Sequence, residues 1–247
     1  GQRIIDMLRE GGVEPYFIYD ARGESRTNYL LVEEETKDAT LVADRGPMPD
    51  GKQTEAFYRL LSETVQDGDC LALSGDTSNF PDPWIYNHIL ERLSNKEIRV
   101  FLDASGKSLQ RGMEASPFLA KPNRDELAAL VGETLTGDAD VLRAIRKVDK
   151  YNIRVLAVSL GGDGSIVRAE DTLYRVYPPK VQVYNTVGCG DCYLGGLLHG
   201  FEQGMEMEEI LRYATAVSAA TAESPLSVFF DVERARELLD HVRIERI

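Results

Sequence analysis

Residues 99–131 read RVFLDASGKSLQRGMEASPFLAKPNRDELAALV. Arg99-Val100-Phe101-Leu102-Asp103 is a short apolar run stopped by the turn residues Ala104-Ser105-Gly106, the pattern of a buried strand. Lys107–Ala115 then reads as a helix, Phe118-Leu119-Ala120-Lys121 as a second short strand ending in Pro122-Asn123, and Arg124–Val131 as a second helix. Outward from this core the alternation continues. Toward the amino terminus lie helix Thr54–Val65, strand Cys70–Ser74 ending in Gly75-Asp76, and helix Pro83–Leu93; toward the carboxyl terminus lie helix Ala139–Tyr151 and strand Val155–Ser159, ending in Leu160-Gly161-Gly162-Asp163-Gly164. Apolar, β-branched strands separated by helices imply an α/β fold with a mostly parallel central sheet covered on both faces.

The flanks differ. Residues 2–10 read as a helix stopped by Gly11-Gly12, and Pro15–Tyr19, Thr27–Glu33 and Ala39–Ala43 as strands without intervening helices. Such a run predicts a small antiparallel sheet, a lid or a dimer interface, over about residues 15–45, beside a main body over about 54–247. After Gly164, Ser165–Arg168 and Thr172–Val176 read as a hairpin and Val181–Tyr184 as a strand; helices Cys192–Gln203, Glu208–Ala222 and Val232–Val242 close the chain. The chain is expected to form a single domain over 1–247. It opens on Gly1 and enters a helix at once, which suggests a chain whose true start lies elsewhere.

A net charge of −13 argues against nonspecific binding to nucleic acid or an anionic membrane, since phosphate backbones are held mainly by Lys and Arg surfaces. No apolar run approaches the ~20 residues of a membrane span. The three cysteines, Cys70, Cys189 and Cys192, stand at no metal spacing and point to a reducing, cytoplasmic setting; Cys189-x-x-Cys192 formally matches a redox dithiol.

In parallel α/β sheets ligands bind beyond the carboxyl ends of the strands. Ser74-Gly75-Asp76, Asp103, Lys121-Pro122-Asn123, Ser159-Leu160-Gly161 and Gly188-Cys189-Gly190-Asp191 all fall at such ends and so are expected along one edge. In the last of these, glycines flanking one residue would leave backbone N–H groups open to an anion at a helix start, with Asp191 placed to take a proton. A glycine-rich turn with an N-capping Asp satisfies the same residues. Asp103-Ala104-Ser105-Gly106 reads equally as a turn and helix cap.

Four motifs in order resemble the PfkB/ribokinase family of ATP-dependent sugar kinases, in the branch of 1-phosphofructokinase and tagatose-6-phosphate kinase. Asn185-Thr186-Val187-Gly188-Cys189-Gly190-Asp191 is similar to (D/N)-T-x-G-A-G-D with Cys189 for Ala; Lys121-Pro122-Asn123-Arg124-Asp125-Glu126 resembles K-P-N-x-x-E; Ser159–Gly164 resembles S-L-G-x-x-G; and Pro178-Pro179-Lys180-Val181 is typical of the branch. The resemblance implies a three-layer ribokinase-like fold and a kinase using ATP and Mg²⁺, with K⁺ as a further candidate. It implies Asp191 as base; Gly188, Cys189 and Gly190 as the anion hole; and Asn123 and Glu126 as organisers of Mg²⁺. Lys121, Thr186 and Ser159, Leu160, Gly161, Gly162, Asp163 and Gly164 are expected along the nucleotide. Arg26 and Asn28 match an R-x-N pair that contacts a sugar phosphate, and a homodimer through the lid strands is expected. The chain lacks the strand and G-G-K-x-x-N-like element with which the family begins, and Asp76 stands where the branch has Ser. An unphosphorylated sugar or nucleoside as acceptor, or a noncatalytic nucleotide- or sugar-binding role, are the other readings.

Overall fold

The structure, a computed structural model, describes residues 1–20, 22–33, 39–44, 46–75, 77, 80, 82 and 84–247. The chain forms two compact units, Gly1–Val65 with Asp76–Leu93, and Gln66–Gly75 with Ser94–Ile247.

The smaller unit contains α1 (Gln2–Glu10), β1 (Asn28–Val32), β2 (Ala39–Ala43), α2 (Gly51–Thr64) and α3 (Ile85–Arg92). β1 and β2 pair antiparallel from Asn28↔Ala43 to Val32↔Ala39. The strand expected at Pro15–Tyr19 is absent: these residues are irregular, with Tyr16, Phe17 and Tyr19 exposed. Aromatic and β-branched composition favours a strand only where a partner accepts its hydrogen bonds, and Pro15 has no N–H to give. α2 starts on a capping box in which the Gln53 N–H donates to the Asp50 carboxylate and the Asp50 N–H to the Gln53 side chain. It packs on α3 through buried Tyr58, Ile85, Tyr86 and Ile89, and the Arg92 guanidinium lies 3.9 Å from the Tyr58 ring centre.

The larger unit is built on seven strands: β3 (Cys70–Ser74), β4 (Arg99–Asp103), β5 (Leu119–Ala120), β6 (Val155–Ser159), β7 (Ser165–Ala169), β8 (Thr172–Tyr177) and β9 (Arg243–Arg246), adjacent in that order. β3 to β6 are parallel; β7 turns back, β8 returns and β9 turns back again, so five of seven strands run one way. Alternation along the strands divides the core in two. Phe101, Val155, Ala157, Val167 and Val176 pack with α7 (Cys189–Glu202), α8 (Met207–Ala222) and α9 (Val232–Leu238). On the other face Leu102 meets Gly112 of α4 (Gly106–Glu114), and β6 and β7 meet α5 (Arg124–Val131) and α6 (Asp138–Lys147). Helix, sheet and helix thus make three layers, the α/β architecture expected.

Further elements depart from expectation. Val181–Tyr184 is irregular rather than a strand; the Tyr184 and Asn185 N–H groups donate instead to the Ala222 carbonyl at the end of α8. The Gly188–Asp191 turn therefore follows an irregular segment, not a strand end. α6 stops at Lys147, before a separate helical turn at Asp149–Tyr151 that ends on Asn152 in a left-handed conformation. The helix expected over Val232–Val242 ends at Leu238, and the charged Arg-Ile-Glu-Arg that follows forms β9, the last strand in the described sheet, where a charged sequence suits an edge. No described helix is long and apolar enough to cross a membrane.

Candidate active site

β4 and β5 are neighbours, so their carboxyl ends bring Asp103 and Lys121 together. The Lys121 Nζ lies 3.0 Å from the Asp103 carboxylate, and the lysine is 5% exposed. Burial raises the Asp103 carboxyl above its ordinary range, Lys121 opposes this, and the negative charge of Asp191 adds to it. The same ammonium lies 3.5 Å from where a Cβ on Gly190 would stand, so any side chain there would rest on Lys121. Asp103, Lys121 and Asp191 therefore share one electrostatic neighbourhood at the start of α7.

Asn123 and Glu126 form the capping box of α5. The Glu126 N–H donates to Asn123 Oδ1, and the Asn123 N–H to Glu126 Oε2, both at 2.8 Å. Burial raises the Glu126 carboxyl, with Lys121 lowering it and Asp103 raising it. The Ser159 N–H donates to the Pro122 carbonyl at 3.0 Å, which ties the end of β6 to this cap. Beyond Ser159 the chain coils into a tight loop: the Leu160 N–H reaches the Gly164 carbonyl at 2.8 Å, and the Asp163 carboxylate pairs with Arg124 at 3.0 Å. Gly161 and Gly162 are exposed within it.

The Asn185–Asp191 turn is held by its own polar groups. Asn185 Oδ1 accepts from the Val187 N–H at 2.9 Å, and Asn185 Nδ2 donates to Ser227 Oγ at 3.1 Å. Gly188 has φ +87°, and a Cβ on it would lie 2.7 Å from the Val228 nitrogen, so glycine is required on both counts. The Cys189 N–H turns back to the Thr186 carbonyl at 3.3 Å, while Ser218 Oγ donates to the Cys189 carbonyl at 3.1 Å. Gly190 and Asp191 occupy the first turn of α7, where N–H groups lack intrahelical acceptors and the dipole is positive. Asp191 is exposed. The Cys189 thiol is pushed up to about 11, mainly by burial and further by Cys192, the opposite of what activates a redox dithiol.

Lys121, Asn123, Glu126, Ser159 and the Gly188–Asp191 turn thus meet in the larger unit. Arg26 and Asn28 belong to the smaller one, where Asn28 Oδ1 accepts from the Asp44 N–H at 3.2 Å. Asp76 lies outside the described residues. Asp103 is among the strand-end candidates of the sequence but has no role assigned there; Arg124, Ser218 and Val228 are not singled out. Of these only Asp103 left a signal, an acid at a strand end next to the strand that carries Lys121. A cavity of about 390 Å³ opens at the other edge of the sheet, between Arg154, Glu170 and the rings of Phe118, Tyr174 and Phe201, and gathers none of these residues.

The profile of the pfkB family of carbohydrate kinases matches residues 1–232. The chain belongs to the pfkB family. Within it, the chain is 30% identical to the 1-phosphofructokinase of Bacillus subtilis, over all of this chain and 79% of that protein. It is 31% identical to the 1-phosphofructokinase of Vibrio cholerae, over 99% of this chain and 76% of that one. The phosphofructokinase-2 of Escherichia coli solved in complex with potassium shares the fold, with a TM-score of 0.88 at 22% identity, over 97% of this chain and 77% of that chain. This pfkB-family protein is a carbohydrate kinase.

Proposed function

We propose that the chain transfers the γ-phosphoryl group of ATP to a hydroxyl of a sugar phosphate, with fructose 1-phosphate or tagatose 6-phosphate as acceptor. The observation that carries this reading is the first turn of α7, where Gly190 approaches the Lys121 ammonium and the charge of exposed Asp191 acts on Asp103, the partner of that lysine. Asp191 accepts the proton of the acceptor hydroxyl as the new O–P bond forms and the bond to the ADP oxygen breaks. The N–H groups of Gly190 and Asp191 in the first turn of α7 and the Lys121 ammonium face the charge on the transferred group, whereas the Cys189 N–H is engaged by the Thr186 carbonyl. Arg26 and Asn28 are assigned to the acceptor's phosphate, for which an arginine fork is suited. Homologues named 1-phosphofructokinase support a phosphorylated acceptor.

The residues fit Mg²⁺ as a largely hydrated ion. Asp103 and Glu126 both act on the Lys121 ammonium and Asp191 acts on Asp103, so three carboxylates are set against one ammonium where polyphosphate is to bind, an excess of negative charge that calls for a cation. Yet no described group of three or more acidic, His or Cys side chains could cage one. Glu126 and Asn123 would hold it through water, and it would supply neutralisation of the phosphate charge. K⁺ is a second candidate ion. One face of the small sheet exposes Tyr29, Leu31 and Val42, which supports a homodimer through these strands. The free cysteines are consistent with a reducing cytoplasm.

An ATP-consumption screen against phosphorylated and unphosphorylated hexoses tests the acceptor; turnover confined to the unphosphorylated sugars would sink the choice. Asp191→Asn is expected to lower kcat by about 10²–10⁴-fold while nucleotide affinity, measured by calorimetry, holds. Near wild-type turnover in that variant would refute the assignment of the base.

A further inference from the structure

Arg175 on β8 is 6% exposed, an unusual place for a charge. Its Nε donates to the Asp138 carboxylate at the start of α6, at 2.7 Å. Its Nη1 donates to the Asp163 carbonyl at 2.7 Å, the Val176 carbonyl at 3.0 Å and the Ser165 carbonyl at 3.3 Å. The guanidinium also lies 4.4 Å from the Tyr177 ring centre. A buried guanidinium is tolerated where its charge and donors find partners, and here a carboxylate takes Nε and carbonyls take Nη1. Two of those carbonyls, Asp163 and Ser165, flank Gly164, the last residue of the 160–164 loop. The backbone of Gly164 passes so close to β8 that a Cβ would lie 2.1 Å from the Val176 oxygen. The loop is thus fastened from β8 through its main chain and, by the Arg124–Asp163 pair, from α5 through its side chain.

We propose that Arg175 is a positioning residue that fixes the Leu160–Gly164 loop in its nucleotide-binding form and so sets the affinity for ATP rather than the rate of transfer. The inference rests on the kinase reading above, in which this loop runs along the nucleotide. A loop already ordered loses little entropy when ATP arrives, whereas a released one spends part of its binding energy on ordering. Lysine keeps the charge but replaces two separated donor nitrogens, Nε and Nη1, by one on a different stem, so it cannot hold the Asp138 carboxylate and the loop carbonyls in the same geometry.

The test is steady-state kinetics with ATP and acceptor varied separately, together with hydrogen exchange of the peptide spanning residues 160–164, on the wild-type chain, Arg175→Lys and Asp138→Asn. Asp138 is half exposed, so its variant removes the anchoring charge without opening the core and decides the matter if Arg175→Lys does not fold. The ATP KM is expected to rise roughly tenfold in Arg175→Lys and about two- to threefold in Asp138→Asn. Acceptor KM and kcat should stay within about twofold, and loop exchange should quicken in both variants. Unchanged loop exchange, or KM values for both substrates that rise together, would overturn the proposal. Faster loop exchange with an unchanged ATP KM would instead overturn the nucleotide assignment of the loop, and the claim about affinity with it.

Discussion

Cys189 stands between the two glycines of the Gly188–Asp191 turn, and its main chain is fully employed, donating to Thr186 and accepting from Ser218. Its side chain is half-buried, with the thiol pushed up to about 11, so little thiolate is present near neutral pH. Cys189→Ala is therefore expected to keep kcat within about twofold of wild type, since it leaves the turn's backbone unchanged. Iodoacetamide labelling of the native protein should proceed more slowly at Cys189 than at a free thiol up to pH 9. A collapse of turnover in the alanine variant would show that the sulfur itself is used. At this scale the sequence displayed the turn, because two glycines about one residue before an apolar helix dictate a tight helix start, while the same residues read equally as an anion site or as a capped corner. Asp103 was not legible in the same way: an Asp before Ser-Gly is also a helix cap, and only the adjacency of β4 and β5 brings it to Lys121.

α5 shows how one helix end serves two purposes. Asn123 and Glu126 close its capping box, and the same burial raises the Glu126 carboxyl. A carboxyl with a folded pKa above its unfolded value binds its proton more tightly in the folded state. Its contribution to stability is present in full below the ordinary glutamate value of about 4.3 and is lost as pH rises through the folded pKa. Glu126→Gln keeps an acceptor for the Asn123 N–H and removes the titration. Its melting temperature relative to wild type should accordingly improve between pH 4 and pH 7, and a pH-independent difference would contradict the shift. The helix and the strands around it were legible because each is short, apolar and bounded by Gly, Pro or Asn. The strands read at Pro15–Tyr19 and Val181–Tyr184 failed for one reason: period-two composition marks a segment that could pair, while pairing depends on which backbone lies alongside. Val181–Tyr184 leads into the Tyr184 and Asn185 bonds to the end of α8, and β9 acquired its ladder from β8 despite a charged sequence.

Across the whole chain, the two units bury apolar surface to very different extents. α1 buries no residue, and the smaller unit's core reduces to α2, α3 and a few neighbours. In the larger unit β4 to β8 carry Phe101, Leu119, Leu156, Val158, Ile166 and Val176 with almost no exposure. Local opening free energies follow such burial. Hydrogen exchange is expected to show low protection in α1, β1 and β2 and near-global protection in β4 to β8, and equal protection throughout would refute this. The three-layer body was legible from alternation alone, whereas the grouping of α2 and α3 with the small sheet was not, since helix periodicity reports a buried face and not its partner. β3 lies in sequence between the two stretches that compose the smaller unit, residues 1–65 and 76–93. On the ribosome, β3 is therefore made before the smaller unit is complete, and the strand it pairs with among the described residues, β4, emerges later still. Until residue 103 has cleared the exit tunnel, Cys70-Leu71-Ala72-Leu73 waits without its β4 partner, an apolar stretch that a chaperone would be expected to shield.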